Sequence, residues 1–272
     1  MKNYLKLITN IFLTSISLSV ILGSLLIIVG PIYQSNKINR KINISSKSRW
    51  SIKKRLTNKN SDLFLLFDKK LEKFKKLDKL INKWENLINK NPDLDVSAFF
   101  LSLDNQVYAE IRSEHKLPSA SSIKVPILIV LLSMLDKGEI FWNEKLTLTE
   151  DIIGSGSGWM AYQEIGEKFP IFEIASEMIR VSDNTATNLL IKRIGGINIV
   201  NNKFKEIGLK NTRINNFLPD LTGTNITSTK DLSFAMALVD SGYLLNRSSR
   251  DIFREIMQRS KTNTLIPTGI LR

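Results

Sequence analysis

Leu117-Pro118-Ser119-Ala120-Ser121-Ser122-Ile123-Lys124-Val125-Pro126-Ile127-Leu128 sets small and hydroxylated residues directly before a long apolar run. No charge falls between Val125 and Leu135, so residues 121–137 are predicted as a helix. Ser121 and Lys124 then share one helix face, one turn apart, and the lysine amine can reach the serine hydroxyl. The helix start also places Ser121 at the positive end of the dipole, which favours a developing oxyanion. A lysine that accepts a proton must be partly neutral, which requires burial or nearby positive potential. The same spacing recurs at Ser51-Ile52-Lys53-Lys54, but no apolar run follows there, so that match is read as chance.

A second stretch, Ile179-Arg180-Val181-Ser182-Asp183-Asn184-Thr185-Ala186-Thr187-Asn188-Leu189-Leu190, joins a predicted helix over 171–181 to another over 185–194. The Ser182 hydroxyl is suited to relaying a proton to a leaving group. The Asn184 amide can hold both a substrate amide and the lysine. Asp183 is suited to capping the helix that follows. Alone, Ser-Asp-Asn is more simply a helix cap; with Ser-x-x-Lys it becomes specific.

The pair, 61 residues apart with helical sequence between, resembles the class A β-lactamase and penicillin-binding protein family. The resemblance runs from about Asp95 to the end of the chain. It implies an α/β (α+β) sandwich of the β-lactamase/transpeptidase type. It also implies Ser121 as the acylated nucleophile, Lys124 as proton acceptor, Ser182 as proton relay and Asn184 as a substrate-binding side chain. Trp159, in the glycine-rich run 154–158 and its flank, falls where the family has a loop lining the cleft, so it is a candidate substrate-binding wall residue or a packing anchor. The resemblance implies no metal and no cofactor.

Two departures narrow the reading. Class A β-lactamases carry Glu-x-x-Leu-Asn in a loop after the second motif, and the glutamate activates the deacylating water. Here the stretch is Asn216-Phe217-Leu218-Pro219-Asp220-Leu221-Thr222, with Leu218 in place of the glutamate and Thr222 in place of the asparagine. Leucine accepts no proton, and Asp220, two positions on, is expected to point elsewhere. The pattern is similar to that of cyanobacterial PBP-A-type D,D-peptidases. The family's Lys-Thr-Gly strand, which binds the substrate carboxylate and completes the oxyanion hole, has no clear counterpart. Lys261-Thr262-Asn263 follows a predicted helix directly and lacks the glycine, while Thr262–Gly269 resembles the loop before that strand. The expectation is a C-terminally truncated domain lacking further strands and a closing helix, and therefore slow to be acylated.

The rest of the chain sets the context. There is no cysteine and one histidine, so thiol chemistry and multi-histidine metal sites are excluded, and a Ser-His-Asp site would need His115. The net charge of +13 is concentrated early: residues 34–90 hold 17 Lys/Arg against 5 Asp/Glu. With no recognisable nucleic-acid-binding fold around that charge, no nucleic-acid partner is expected.

Residues 7–33 contain no charge and are long enough to cross a bilayer. A membrane anchor is expected over 1–34, a basic linker over 35–60 and the catalytic domain over 61–272. Lys37, Arg40, Lys41, Lys47 and Arg49 beyond the span outnumber Lys2 and Lys6 before it, which opposes export of the domain. Phe67, Leu71, Phe74, Leu77, Ile81, Trp84 and Ile88 recur at helical spacing and predict one amphipathic helix over 62–90. Two strands follow, 95–103 and 106–112, around Asp104-Asn105. Further helices are predicted over 197–207, 229–241 and 248–259. Two strands are few for a sandwich.

The expected protein is a monomeric, single-pass protein of the bacterial plasma membrane with a periplasmic serine hydrolase domain. Its partners would be membrane lipid and a peptidoglycan stem peptide ending in D-Ala-D-Ala, or a β-lactam. The alternatives are a class A β-lactamase and an inactive truncated remnant.

Overall fold

The computed structural model describes residues 61–262. The expected anchor, the linker and the chance match at Ser51 lie outside the described residues. Among the described residues no helix is long and apolar enough to cross a membrane.

The single helix expected over 62–90 is instead two. Helix α1 (Ser61–Leu71) and helix α2 (Asp78–Asn89) flank a two-residue strand, β1 (Lys75–Lys76). An unbroken helix of that length would run about 44 Å, too long to keep one stripe on a core of small-domain size. The chain turns at residues 72–74 and spends its backbone groups on a sheet edge: Lys75 N–H donates to Gln106 O and Leu77 N–H to Tyr108 O, each at 2.8 Å. The apolar periodicity persists across the break because Phe67, Leu71, Phe74 and Ile81 are all buried.

Strands β2 (Ala98–Ser102) and β3 (Val107–Ile111) form the expected hairpin, shorter than its predicted limits. They pair antiparallel from Ala98 with Ile111 to Ser102 with Val107. Strand β1 adds parallel to the other edge of β3, giving the order β1-β3-β2. Two ribbons were not foreseen: β4 (Leu117–Pro118) with β7 (Ile226–Thr227), and β5 (Lys145–Thr147) with β6 (Lys168–Pro170). Pieces of two or three residues are too short to display alternation.

The helical block follows the sequence reading closely. Helix α3 (Lys124–Asp136) is its axis, and packs against α4 (Ile171–Arg180), α5 (Asn184–Ile194), α6 (Ile197–Glu206), α7 (Thr229–Asp240) and α8 (Arg247–Gln258). Ile127, Leu128, Ile129, Leu131 and Leu132 are fully buried, so α3 is apolar on nearly all sides because helices surround it. Helix α7 joins this block to the sheet. Its Phe234 ring lies 4.7 Å from Phe67 and 5.4 Å from Phe64 of α1, and 5.5 Å from Phe99 of β2. Beyond α8, Lys261 is in coil rather than on a strand, with its N–H donating to Arg180 O at 3.0 Å.

Candidate active site

The segment from Leu117 to Lys124 positions the nucleophile candidate. Strand β4 ends at Pro118, and Ser119 N–H donates to Asn225 O at 2.7 Å, tying the segment to the chain entering β7. Residues Ala120–Ile123 form a 3-10 turn before α3 opens at Lys124. Ala120 has φ +43°, a left-handed conformation that costs a non-glycine residue about 1 kcal/mol or more. The turn sets Ser121 at the mouth of α3 with Lys124 beneath it.

Ser182 reaches the same point from the other side. Helix α4 ends at Arg180, and the carbonyl of Glu177 accepts hydrogen bonds from both Val181 N–H and Asp183 N–H. Between them Ser182 is held at φ +60°. Its hydroxyl donates to Ser121 Oγ at 2.8 Å. Lys124 Nζ lies 2.9 Å from Ser182 Oγ, 2.9 Å from Asn184 Oδ1, 2.5 Å from Ser182 O and 3.4 Å from Ser121 Oγ. The structure therefore gathers Ser121, Lys124, Ser182 and Asn184 into one hydrogen-bonded cluster. The shortest hydroxyl path from Ser121 to the amine runs through Ser182.

Only 2% of Lys124 is exposed. Burial disfavours its ammonium form and pulls its pKa down from 10.5 to about 8, against the opposing charge of Asp183. About a tenth of the amine is then neutral at pH 7, far more than for a free lysine, and this makes it a usable base.

Asp183 does more than cap. One carboxylate oxygen accepts from Ala186 N–H at 2.9 Å, the expected N-cap of α5. The other accepts from Trp159 N–H at 2.8 Å and Met160 N–H at 2.9 Å, fixing the glycine-rich loop. A side chain at Gly158 would collide with this carboxylate, which is why glycine stands there. Asn184 completes the attachment: its Nδ2 donates to Ser155 O at 2.8 Å, and its N–H to Ser157 O at 3.1 Å.

Trp159 is half-buried and held by two neighbours. Its indole N–H donates to Glu177 at 2.6 Å, and its ring stands edge-on to Phe169 at 5.8 Å. Glu177 also accepts two hydrogen bonds from Arg180, each at 2.6 Å, and that guanidinium holds its carboxyl below the usual carboxylate range. His115 bonds Asp95 at 2.9 Å beside Arg112 in a surface ion cluster, so its partners are not those of a catalytic triad.

The loop carrying Leu218 is built on asparagines whose roles were not read from the sequence. Leu218 is 7% exposed. Its N–H donates to Asn188 Oδ1 at 2.9 Å, and its carbonyl accepts from Asn188 Nδ2 at 2.7 Å. The signal was present: Asn184 and Asn188 are four apart on α5 and share a face. Asp220 accepts hydrogen bonds from Thr222 and Thr224 hydroxyls and from Asn225 N–H. Burial acts to raise its pKa, but donation from Asn225 N–H, Thr224 and Thr222 outweighs this and keeps the carboxyl below its ordinary value. Asn225 accepts from Asn215 and Asn216 N–H groups through its side chain. Asp220 therefore acts through Asn225 on the segment ahead of Ser121.

A serine hydroxyl bonded to a second serine, over a buried lysine of depressed pKa at the mouth of a central helix, is an arrangement in which a serine can be activated without histidine. Comparison with known proteins gives the family. Residues 78–271 match the profile of the beta-lactamase enzyme family, and the chain belongs to it. The structure of PBP-A superposes with a TM-score of 0.71 at 39% identity, over 72% of this chain and 74% of that one. A leucine-to-glutamate variant of PBP-A, an acyl-enzyme complex with penicillin G, superposes with a TM-score of 0.70 at 38% identity over the same shares. Beta-lactamase BRO-1 of Moraxella catarrhalis is 27% identical over 199 residues, 70% of this chain and 62% of its own length. D-alanyl-D-alanine carboxypeptidase DacF of Bacillus subtilis strain 168 is 30% identical over 126 residues, 44% of this chain and 32% of its own length. The chain spans about three-fifths of the length of the β-lactamases of Moraxella catarrhalis and Bacillus licheniformis that it matches, 62% and 59%.

Proposed function

We propose that the protein is a serine acyl-enzyme hydrolase that acts on D-Ala-D-Ala ends of peptidoglycan peptides and is acylated by β-lactams. The observation that carries this reading is the cluster at Lys124: the amine lies 2.9 Å from Ser182 Oγ, which lies 2.8 Å from Ser121 Oγ. In the proposed step Ser121 Oγ attacks the carbonyl carbon of the penultimate D-Ala, and its proton passes through Ser182 to the neutral Lys124 amine. The C–N bond then breaks, and the departing D-Ala nitrogen takes a proton back from the Lys124–Ser182 pair. Water next attacks the acyl carbon and gives a proton to the same pair, and the acyl–Oγ bond breaks to restore the Ser121 hydroxyl. Asn184 orients the substrate amide. The Ser121 N–H, at the start of α3, faces the developing oxyanion.

Leu218 supports a peptidase over a β-lactamase. Its apolar side chain offers no base for a water attacking the acyl carbonyl, and Asp220 is occupied by Asn225 and two threonines. The likeness to PBP-A and to the DacF carboxypeptidase supports the same choice. The uncharged run over 7–33 supports a single-pass attachment to the bacterial plasma membrane, with the domain on the periplasmic side where peptidoglycan lies.

The test is to incubate the full chain with a D-Ala-D-Ala peptide and separately with a penicillin. Release of D-Ala and a Ser121-dependent penicilloyl adduct are expected. Multiple-turnover hydrolysis of the penicillin would establish a β-lactamase instead, and absence of any Ser121-dependent product would establish a non-catalytic relative. Protease accessibility in spheroplasts tests the orientation: a domain digested only after lysis would refute the periplasmic assignment.

A further inference from the structure

A polar cleft of about 390 Å3 opens beside the β4–β7 ribbon, on a different set of residues from the Ser121 cluster. One wall is a single face of α6, where Asn198, Asn201, Asn202 and Lys205 follow at helical spacing. From Asn198 to Lys205 this wall runs about 10 Å along the axis. The opposite wall is the extended segment from Leu209 to Arg213 with Ile226 of β7, and Lys116 stands just before β4.

The charge in this cleft is one-sided. Lys116, Lys205, Lys210 and Arg213 line it, and no Asp or Glu does. Among the described residues none of the four enters an ion pair. Glu114 lies within Coulombic reach of Lys210, but is bound to Lys230 at 2.7 Å. The last turn of α6 gives Lys205 a reason to be there without a ligand, since a cation complements the helix dipole. That reason does not extend to Lys116, Lys210 or Arg213, which come from other segments. Asn201 is committed to the wall itself, bonding the Ile214 N–H and carbonyl at 2.9 and 2.7 Å. Asn198 and Asn202 present exposed amides, each a donor and an acceptor. Arg213 bonds Asn215 through Nε at 2.9 Å, and among the described residues its terminal nitrogens make no hydrogen bond, which leaves a fork of donors for an oxyanion.

We propose that this cleft binds an acidic oligosaccharide chain, with the four cations engaging its carboxylate or phosphate groups and the two asparagine amides its hydroxyls. Four cations spread along a groove of this length match repeated anionic groups better than one compact ion. The site does not use Ser121, and stands or falls independently of the reaction proposed above.

The experiment is isothermal titration of the full chain with four probes: a uronate tetrasaccharide, a phosphodiester-linked hexose tetramer, a neutral glucan tetrasaccharide and inorganic phosphate. Two charge-matched variants go with it, K205Q/K210Q in the cleft and K79Q/K83Q on the exposed face of α2. All four lysines are exposed, so both variants are expected to fold, and Arg213→Gln supplies an independent change in the cleft. At least one acidic oligomer should bind with a Kd below about 1 mM, while the neutral glucan does not. Affinity should fall about tenfold in K205Q/K210Q and in Arg213→Gln, and stay within about twofold in K79Q/K83Q. The tighter of the two acidic oligomers identifies the acid as carboxylate or phosphate. The proposal is overturned if neither binds, if inorganic phosphate binds as tightly, or if both lysine pairs lower affinity equally.

Discussion

Raising the pH from about 8 to about 10 should stabilise the folded chain through Lys124. In the fold its pKa is about 8, pulled down from 10.5 by burial, with Asp183 opposing. Between those two values the unfolded chain holds the proton and the folded chain does not, so stability rises with pH. Below about 8 both states are protonated, and the buried ammonium costs the fold about 3 kcal/mol, the full displacement at 1.36 kcal/mol per unit. Between pH 8 and pH 10 about 2 kcal/mol of this cost should be recovered. The perturbation is Lys124→Met, which keeps an unbranched side chain and removes the titrating group. It leaves Ser182 O and Asn184 Oδ1 without their donor, a penalty that does not vary with pH. The assay is urea unfolding of both proteins at half-unit pH steps, and the readout is the difference in unfolding free energy. Other lysines and tyrosines titrate in both proteins and cancel. A wild-type-minus-variant difference that rises by about 2 kcal/mol confirms a depressed Lys124; a flat or falling difference refutes the reasoning. The same titration should appear in acylation, whose rate should rise about tenfold from pH 7 to pH 9 and level off above.

Ser182→Gly should slow acylation by a penicillin about a hundredfold or more, read by stopped-flow labelling. Its relief of the left-handed backbone at φ +60°, about 1 kcal/mol, is offset by loss of the hydrogen bond from Lys124 to Ser182 Oγ, so thermal denaturation should show no net gain. Asp183→Ala should cost about 3 kcal/mol in urea unfolding, because it removes an N-cap and strands the Trp159 and Met160 N–H groups. Leu218→Glu should shorten the life of a penicilloyl adduct about a hundredfold by supplying a base, at a stability cost of about 2 kcal/mol for a carboxyl in a buried position. Adduct decay followed by intact mass measures the first, and the urea midpoint the second.

The helical block was legible because its signals are local. The uncharged run after Lys124 announces a helix surrounded by others, and Asp183 and Gly195 mark the ends of α5 where the structure has them. The motif residues were equally legible: Ser121, Lys124, Ser182 and Asn184 meet within hydrogen-bonding distance. What failed was non-local. The break at 72–77 is imposed by the edge of β3, 30 residues on, and the apolar periodicity of 62–90 gave no sign of it. The short ribbons were invisible for the same reason, since β4 finds its partner across more than a hundred residues. Trp159 carries no local sign of Glu177 and Phe169, the distant residues that hold its ring. Asn188 is marked only by its four-residue spacing from Asn184, and Asn225 by nothing, because an asparagine that braces a distant backbone looks, in sequence, like any polar residue of a loop.

The central claim is that Ser121 becomes acylated and that the acyl group is not released by a β-lactamase route. Intact-mass spectrometry of the full chain after prolonged incubation with penicillin G, with peptide mapping, tests it most directly. The account predicts one penicilloyl group per chain on the peptide containing Ser121, surviving removal of free penicillin and absent in Ser121→Ala. An adduct on another residue, no adduct at all, or hydrolysed penicillin accumulating while the protein stays unmodified would contradict it.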